Sequence, residues 1–106
     1  PNYEVQRIES LSNIFDQGKI YITVKKSSDR KAIKLLCSKL REKYPQYSNI
    51  IICVYTDNKI GMALANGFQS EISNDLKKEN WLALYSYHKV EGEYFDENPG
   101  GYLSGY

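Results

Sequence analysis

Histidine is nearly absent from this sequence, and the one that is present, His88, limits what the chain can catalyse. Serine and cysteine nucleophiles are commonly activated by an imidazole. A histidine-based metal centre needs more than one ring and scattered carboxylates. No nucleophile-elbow Gly-x-Ser-x-Gly occurs, so His88 reads as a strand-end residue near the surface, and an enzyme built on it ranks third among the functional readings. Cysteine is scarce too. Cys37 and Cys53 form no Cys-x-x-Cys, which removes a thioredoxin-like redox site and a zinc site. Cys37 falls on an apolar helical stripe and Cys53 in an apolar strand, so both are expected to be buried. If Cys53 turned toward that helix, a Cys37–Cys53 disulfide would close a short loop and contribute about 3 kcal/mol. Two free thiols acting as small hydrophobes are the preferred reading.

Other absences narrow the field further. No run reaches the apolar length of a bilayer-spanning helix, and no charged-then-apolar leader is present. Pro1 stands where an initiator Met is expected, which implies a trimmed chain; a lost export signal would account for it, and so would a chosen chain boundary. Glycine-rich Asn98-Pro99-Gly100-Gly101 is followed by no helix and no Lys-Ser/Thr, so it is not a phosphate cradle. Glu91, Glu93, Asp96 and Glu97 cluster without the spacing of a calcium loop. No cofactor and no metal are implied.

Net charge is only +1, yet it is uneven: residues 1–45 carry ten Lys/Arg against five Asp/Glu, and residues 46–106 four against eight. Most of the basic residues lie on one helix and its approach, residues 25–44. Nucleic-acid binding would interleave aromatics with those charges, but the helix offers only Tyr44, on its apolar side. Nucleic acid is therefore disfavoured, and a solvated basic face is preferred.

What the chain does have is tyrosine, ten in 106 residues, and one apolar run. Tyrosine suits binding surfaces, but half-buried strands favour it as well, and Tyr21, Tyr55, Tyr85 and Tyr87 fall in strand-like stretches. The run Ile50-Ile51-Ile52-Cys53-Val54-Tyr55-Thr56 has no charge and does not alternate. Both of its faces must be covered, which is the pattern of an interior strand. Upstream, Tyr3–Ile8 reads as a short strand and Glu9–Gly18 as a polar joint. Lys19–Lys25 alternates, with Ile20, Ile22 and Val24 on one side and Tyr21, Thr23 and Lys25 on a wetter one.

Ser27-Ser28-Asp29 starts a helix carrying Ile33, Leu36, Cys37, Leu40 and Tyr44 on one stripe, stopped by Pro45. Thr56-Asp57-Asn58 caps a second, short helix that runs to about Asn66 and is closed by Gly67. A further helical turn is expected around Asn74–Lys78, then a strand from Trp81 to His88 that turns at Glu91-Gly92 into a hairpin through Tyr94–Asp96. Regular structure is expected to end at Asn98–Gly101.

The expected fold is α/β (α+β): a single β-α-β-α-β domain over 1–106, with a mixed sheet of four to five strands, helices packed on it and a C-terminal hairpin. Its parts are an N-terminal strand and joint (1–18), a core (19–96) and a tail (97–106). Two strands joined by a helix lie parallel with a right-handed crossover, so their carboxyl ends open on the same side. Open α/β sheets bind ligands at such a rim. That places the candidate site at Ser28, Asp57 and Asn58 with Tyr55 or Trp81 beside them, although Ser28 and Asp57 are equally readable as helix caps.

Tyr3-Glu4-Val5, the buried strand ending Tyr55-Thr56, Gly61-Met62 and Trp81-Leu82-Ala83 together make the chain similar to a group of small exported bacterial domains of unknown function. In that group the Gly-Met pair stands almost next to the Trp, whereas here Ala63–Asn80 intervene. The resemblance implies export and no catalytic residues. The functional expectation is a non-enzymatic binding or accessory module, exported as a periplasmic or lipid-anchored protein, with a cytoplasmic location as the alternative. The alternative is protein–protein recognition, of the inhibitor or immunity kind, through the basic helix 28–44 and the tyrosine-rich strands.

Overall fold

The run from Ile50 does sit at the centre. In the computed structural model, which describes residues 2–12 and 16–103, it forms β3 (Asn49–Thr56), the middle strand of a sheet ordered β1-β2-β3-β4-β5. β2 (Gln17–Val24) runs parallel beside it, in register from Gln17↔Asn49 to Val24↔Thr56. β4 (Trp81–His88) flanks the other side antiparallel. The edges are β1 (Tyr3–Ser12), antiparallel to β2, and β5 (Gly92–Asp96), antiparallel to β4. With helices α1 (Arg30–Arg41), α2 (Lys59–Ala65) and α3 (Asn74–Asn80), this is the expected α+β domain with a five-stranded mixed sheet and a C-terminal hairpin. Gly92 has φ +86° at the hairpin turn and Gly67 φ +91° after α2, conformations that glycine reaches without steric cost.

The lack of alternation in β3 has a direct structural counterpart. Ile50, Ile52 and Val54 join Ile20, Ile22, Val24, Leu82, Ala83 and Tyr85 beneath α1, which contributes Ile33, Cys37 and Leu40. Ile51, Cys53 and Tyr55 point to the opposite face, toward α2. Leu35, on the far side of α1, is 57 % exposed. The α1 cap is the carboxylate of Asp29, which accepts from the Ala32 N–H, rather than a serine hydroxyl.

Three local expectations are corrected. Glu9–Gly18 is no joint: β1 continues to Ser12 and pairs Glu9↔Lys19, Ser10↔Gly18 and Ser12↔Gln17. Its polar side chains are engaged on the sheet, since Glu9 accepts from the Tyr21 hydroxyl and Ser10 Oγ lies 2.8 Å from Tyr47 Oη. Residues 13–15, within the expected joint, lie outside the described residues. Asn98–Gly101 does not end regular structure, because a 3-10 helix spans Pro99–Leu103 with Pro99 and Gly100 buried. A Cβ on Gly100 would lie 2.8 Å from Lys78 Cα, so this turn packs directly on α3. Residues 104–106 of the expected tail lie outside the described residues. The Cys37–Cys53 disulfide alternative fails on topology. Both thiols are free and buried, Cys37 under α1 and Cys53 on the other face, with the sheet between them.

Candidate ligand pocket on the second face of the sheet

The two faces of the sheet are covered unequally, and the helices packed on them differ in length. At 1.5 Å per residue, α1 is about 18 Å long and α2 only about 10 Å, whereas eight residues of β3 at 3.3 Å span about 26 Å. α2 also lies very close to the strand end, since a Cβ on Gly61 would come within 1.9 Å of the Thr56 carbonyl oxygen. Leu64 and Ala65 bury themselves at that end. Beyond them the face is left as an open cavity of ≈ 440 Å³, within the size range of small-molecule sites.

Its lining comes from every layer around it: Lys19 and Tyr21 of β2, Ile51, Cys53 and Tyr55 of β3, Leu84 and Trp81 of β4, Leu64 of α2, Gln69 of the following loop and Lys77 of α3. Trp81 owes its position to a bulge. The register between β3 and β4 slips between Val54↔Ala83 and Tyr55↔Trp81, so Leu82 and Ala83 both serve the α1 core while Trp81 turns to the other face. Bulges commonly re-aim a side chain in this way. Its indole stacks near the Tyr55 ring, centroids 6.2 Å apart and planes 20° apart. The Trp81 Nε1–H is buried and has no hydrogen-bond partner among the described residues.

Tyr21 forms the wall toward β1. Its hydroxyl donates to Glu9 Oε1 at 2.6 Å, and the Arg7 guanidinium lies 4.0 Å from its ring centroid. Arg7 in turn pairs with Glu9 at 3.1 Å and donates to the Ala65 carbonyl at 3.3 Å, tying β1 to the end of α2. Burial, reinforced by the Glu9 carboxylate, raises the Tyr21 pKa above the tyrosine range. Burial raises that of Tyr55 likewise. The Cys53 thiol is pushed up to about 11 by burial, with the Lys19 charge pulling the other way. At neutral pH these walls are therefore uncharged, and no carboxylate lines the cavity. Lys19 and Lys77 supply its only formal charges, and neither forms a salt bridge among the described residues.

Of the residues expected at the rim, the structure brings Tyr55 and Trp81 into this cavity and takes the other three elsewhere. The carboxyl ends of β2 and β3 do open on the same side, but the part of that end between Thr56 and Asn58 is occupied by Asn80. Asn80, itself buried, accepts from Thr56 Oγ1 at 2.9 Å and from Asn58 Nδ2 at 2.8 Å and donates to the Leu76 carbonyl at 2.8 Å. Asn58 also caps α2 by accepting from the Gly61 N–H. Ser28 receives Arg30 Nη1 on its carbonyl and donates its N–H to the Lys25 carbonyl, a turn before α1. Asp57 is exposed and lines a separate polar depression with Asn2, Tyr3, Glu4, Thr23 and Met62.

The other eight lining residues, Lys19, Tyr21, Ile51, Cys53, Leu64, Gln69, Lys77 and Leu84, are not among the expected site residues. The usable signal was the shortness of the helix between Asn58 and Gly67, which cannot roof an eight-residue strand.

Elsewhere, His88 Nδ1 accepts the N–H groups of Val90 and Glu91 and so staples the β4–β5 turn. Among the described residues no group of three His, Cys, Asp or Glu could hold a metal ion, and no helix is long and apolar enough to cross a membrane. The basic helix and its C-terminal turn spend part of their charge on tyrosines of the sheet: Arg41 sits 3.7 Å over the Tyr87 ring and donates to Tyr85 Oη, and Lys43 donates to Tyr3 Oη. No family model, curated protein or solved structure matches the chain.

Proposed function

We propose that this protein is a non-enzymatic binding module whose site is the half-roofed face of the sheet, and that it takes a small ligand with an apolar body. One observation carries the reading: beyond α2 the sheet bears a ≈ 440 Å³ cavity walled by Tyr21, Tyr55, Trp81 and aliphatic side chains with no carboxylate among its described lining, whereas three other depressions on the molecule each include an acid. The walls hold no nucleophile in its reactive form, which favours binding over chemistry; the one thiol there, Cys53, stays protonated at neutral pH. The resemblance to small exported domains supports an exported accessory role alongside this reading.

Trp81 is the only tryptophan, so its emission reports on the cavity directly. The neutral fluorophore N-phenyl-1-naphthylamine is expected to bind and to accept energy from Trp81. Ile51→Phe, which fills the cavity floor, is expected to abolish that transfer while the far-ultraviolet spectrum stays native. Transfer that survives the plug, or that never occurs, would remove the cavity as the site.

A further inference from the structure

We infer that the cavity selects an aromatic acid, a flat apolar ring system carrying one anionic group. This rests on the cavity being the binding site at all, and it adds the chemical class of the occupant.

The charge pattern supports the anion. Among the ten lining residues there are two lysines and no carboxylate. The nearest acid in the Tyr21 wall, Glu9, stands opposite Lys19 across β1 and β2 but forms no salt bridge with it; its carboxylate is taken by the Tyr21 hydroxyl at 2.6 Å and by Arg7 at 3.1 Å. Lys19 keeps only a distant approach to the Tyr21 ring, with Nζ 5.5 Å from the centroid. Lys77 reaches the cavity from α3, its side chain in no hydrogen bond or salt bridge among the described residues. A cation at the mouth of a low-dielectric cavity, with no internal partner, favours a ligand that brings the opposite charge.

The wall chemistry supports the ring. Tyr21, Tyr55 and Trp81 present three aromatic side chains, two of them stacked at 20°, and aromatic faces hold a flat ring with defined geometry. Ile51, Leu64 and Leu84 complete an apolar surround. On the α1 side a depression of ≈ 380 Å³ at the end of the helix also holds Tyr44, Tyr47 and Tyr87, but there the carboxylate of Glu42 stands beside Arg41 and Lys89.

The test compares two probes with the same ring body, 8-anilinonaphthalene-1-sulfonate and N-phenyl-1-naphthylamine, by energy transfer from Trp81. The sulfonate is expected to lose about tenfold in affinity in Lys19→Gln/Lys77→Gln, with the neutral probe unchanged. Sulfonate binding should also weaken with added salt, and neutral binding should not. Displacement separates the two apolar acids: 2-naphthoate should compete with the sulfonate at lower concentration than decanoate does. If both probes bind and neither responds to the lysine substitutions, the cavity stands as a site and the anion preference is overturned. If decanoate competes as well as naphthoate, the aromatic class is overturned. If neither probe takes energy from Trp81, the cavity itself falls, and the inference with it.

Discussion

Ile51 and Ile52 are neighbours in one strand and belong to different proteins in all but sequence. Ile52 lies under α1, fully buried in a continuous apolar cluster. Ile51 lies on the other side, partly exposed at the floor of a cavity. Over the middle of the sheet the α1 face is filled and the other is left open, although both are built from the same run of β-branched residues. The difference follows from the roof. A twelve-residue helix with a full apolar stripe closes the first face, and a seven-residue helix pinned at the strand ends closes only part of the second. On the binding reading proposed above, stability and recognition would fall to opposite sides of a single sheet.

The largest effect expected from that division is on the filled side. Ile52→Ala should destabilise the fold by about 3–4 kcal/mol, as deletions in close-packed cores do, whereas Ile51→Ala should cost about 1 kcal/mol because its neighbours already leave space. Urea unfolding of the two variants measures this directly. Equal losses would mean that the second face is as closed as the first in solution.

Gly61→Ala tests what pins the short helix. In an ordinary helix interior this substitution gains up to about 1 kcal/mol. Here the new Cβ would meet the Thr56 carbonyl oxygen at 1.9 Å and its hydroxyl oxygen at 2.2 Å. The sign should therefore reverse, to a loss of about 2–3 kcal/mol, with α2 displaced from β3. A stabilised Gly61→Ala would show that α2 has freedom to shift, and the cavity boundary would move with it.

Each face also carries a tyrosine–glutamate–arginine set reaching in from an edge strand. On the cavity side it is Tyr21, Glu9 and Arg7; on the α1 side it is Tyr85, Glu93 and Arg41, with Tyr85 Oη donating to Glu93 Oε2 at 2.6 Å and Arg41 Nε to Tyr85 Oη at 3.0 Å. Ser38 of α1 donates to the same Glu93 carboxylate. These hydrogen bonds, Ser38 first and Tyr85 second, hold the Glu93 pKa below its usual value. A carboxyl whose folded pKa is depressed contributes stability above its unfolded pKa and loses it as pH falls through the folded value. The advantage of wild type over Glu93→Gln should thus be present at pH 7 and shrink below about pH 4.3, the ordinary glutamate value. An advantage that is flat across that range would remove Glu93 as the acid-sensitive clasp between α1 and β5.

Much of the frame was legible because it rests on local chemistry. Ile50–Thr56 could not have one wet face, Asn58 and Gly67 bracket a helix, and Gly92 marks a turn. The cavity was less legible because its walls come from five elements and from two local departures from rule. Strict alternation along β4 places Trp81 with Ala83 and Tyr85 on the α1 side, and only the slip in register against β3 moves it across. Asn80 looks like an ordinary helix end, yet it occupies part of the strand-end rim where a ligand was expected, because its side-chain oxygen accepts from both Thr56 and Asn58. Alternation also marked Tyr21 and Thr23 as the wetter side of β2, but both are buried, Tyr21 with the Arg7 guanidinium over its ring and Thr23 accepting from Gln6.

The smallest expected effect bears most directly on why the second face was left open. Trp81 buries an indole N–H that no described residue accepts, and leaving such a donor unmet costs about 1–3 kcal/mol. Phenylalanine keeps an aromatic ring beside Tyr55 and removes the donor, at the expense of some packing area. Trp81→Phe should therefore leave stability within about 0.5 kcal/mol of wild type or raise it, when followed by circular dichroism in urea. On the filled face an aromatic truncation has no such offset: Tyr85→Phe would strip a hydroxyl that serves both Arg41 and Glu93, and it should lose stability. A protein selected for stability alone has no reason to keep the indole; one that binds through this cavity does. A loss above about 1.5 kcal/mol in Trp81→Phe would mean that the indole is held for the fold, and the contrast between the two faces would lose its functional meaning.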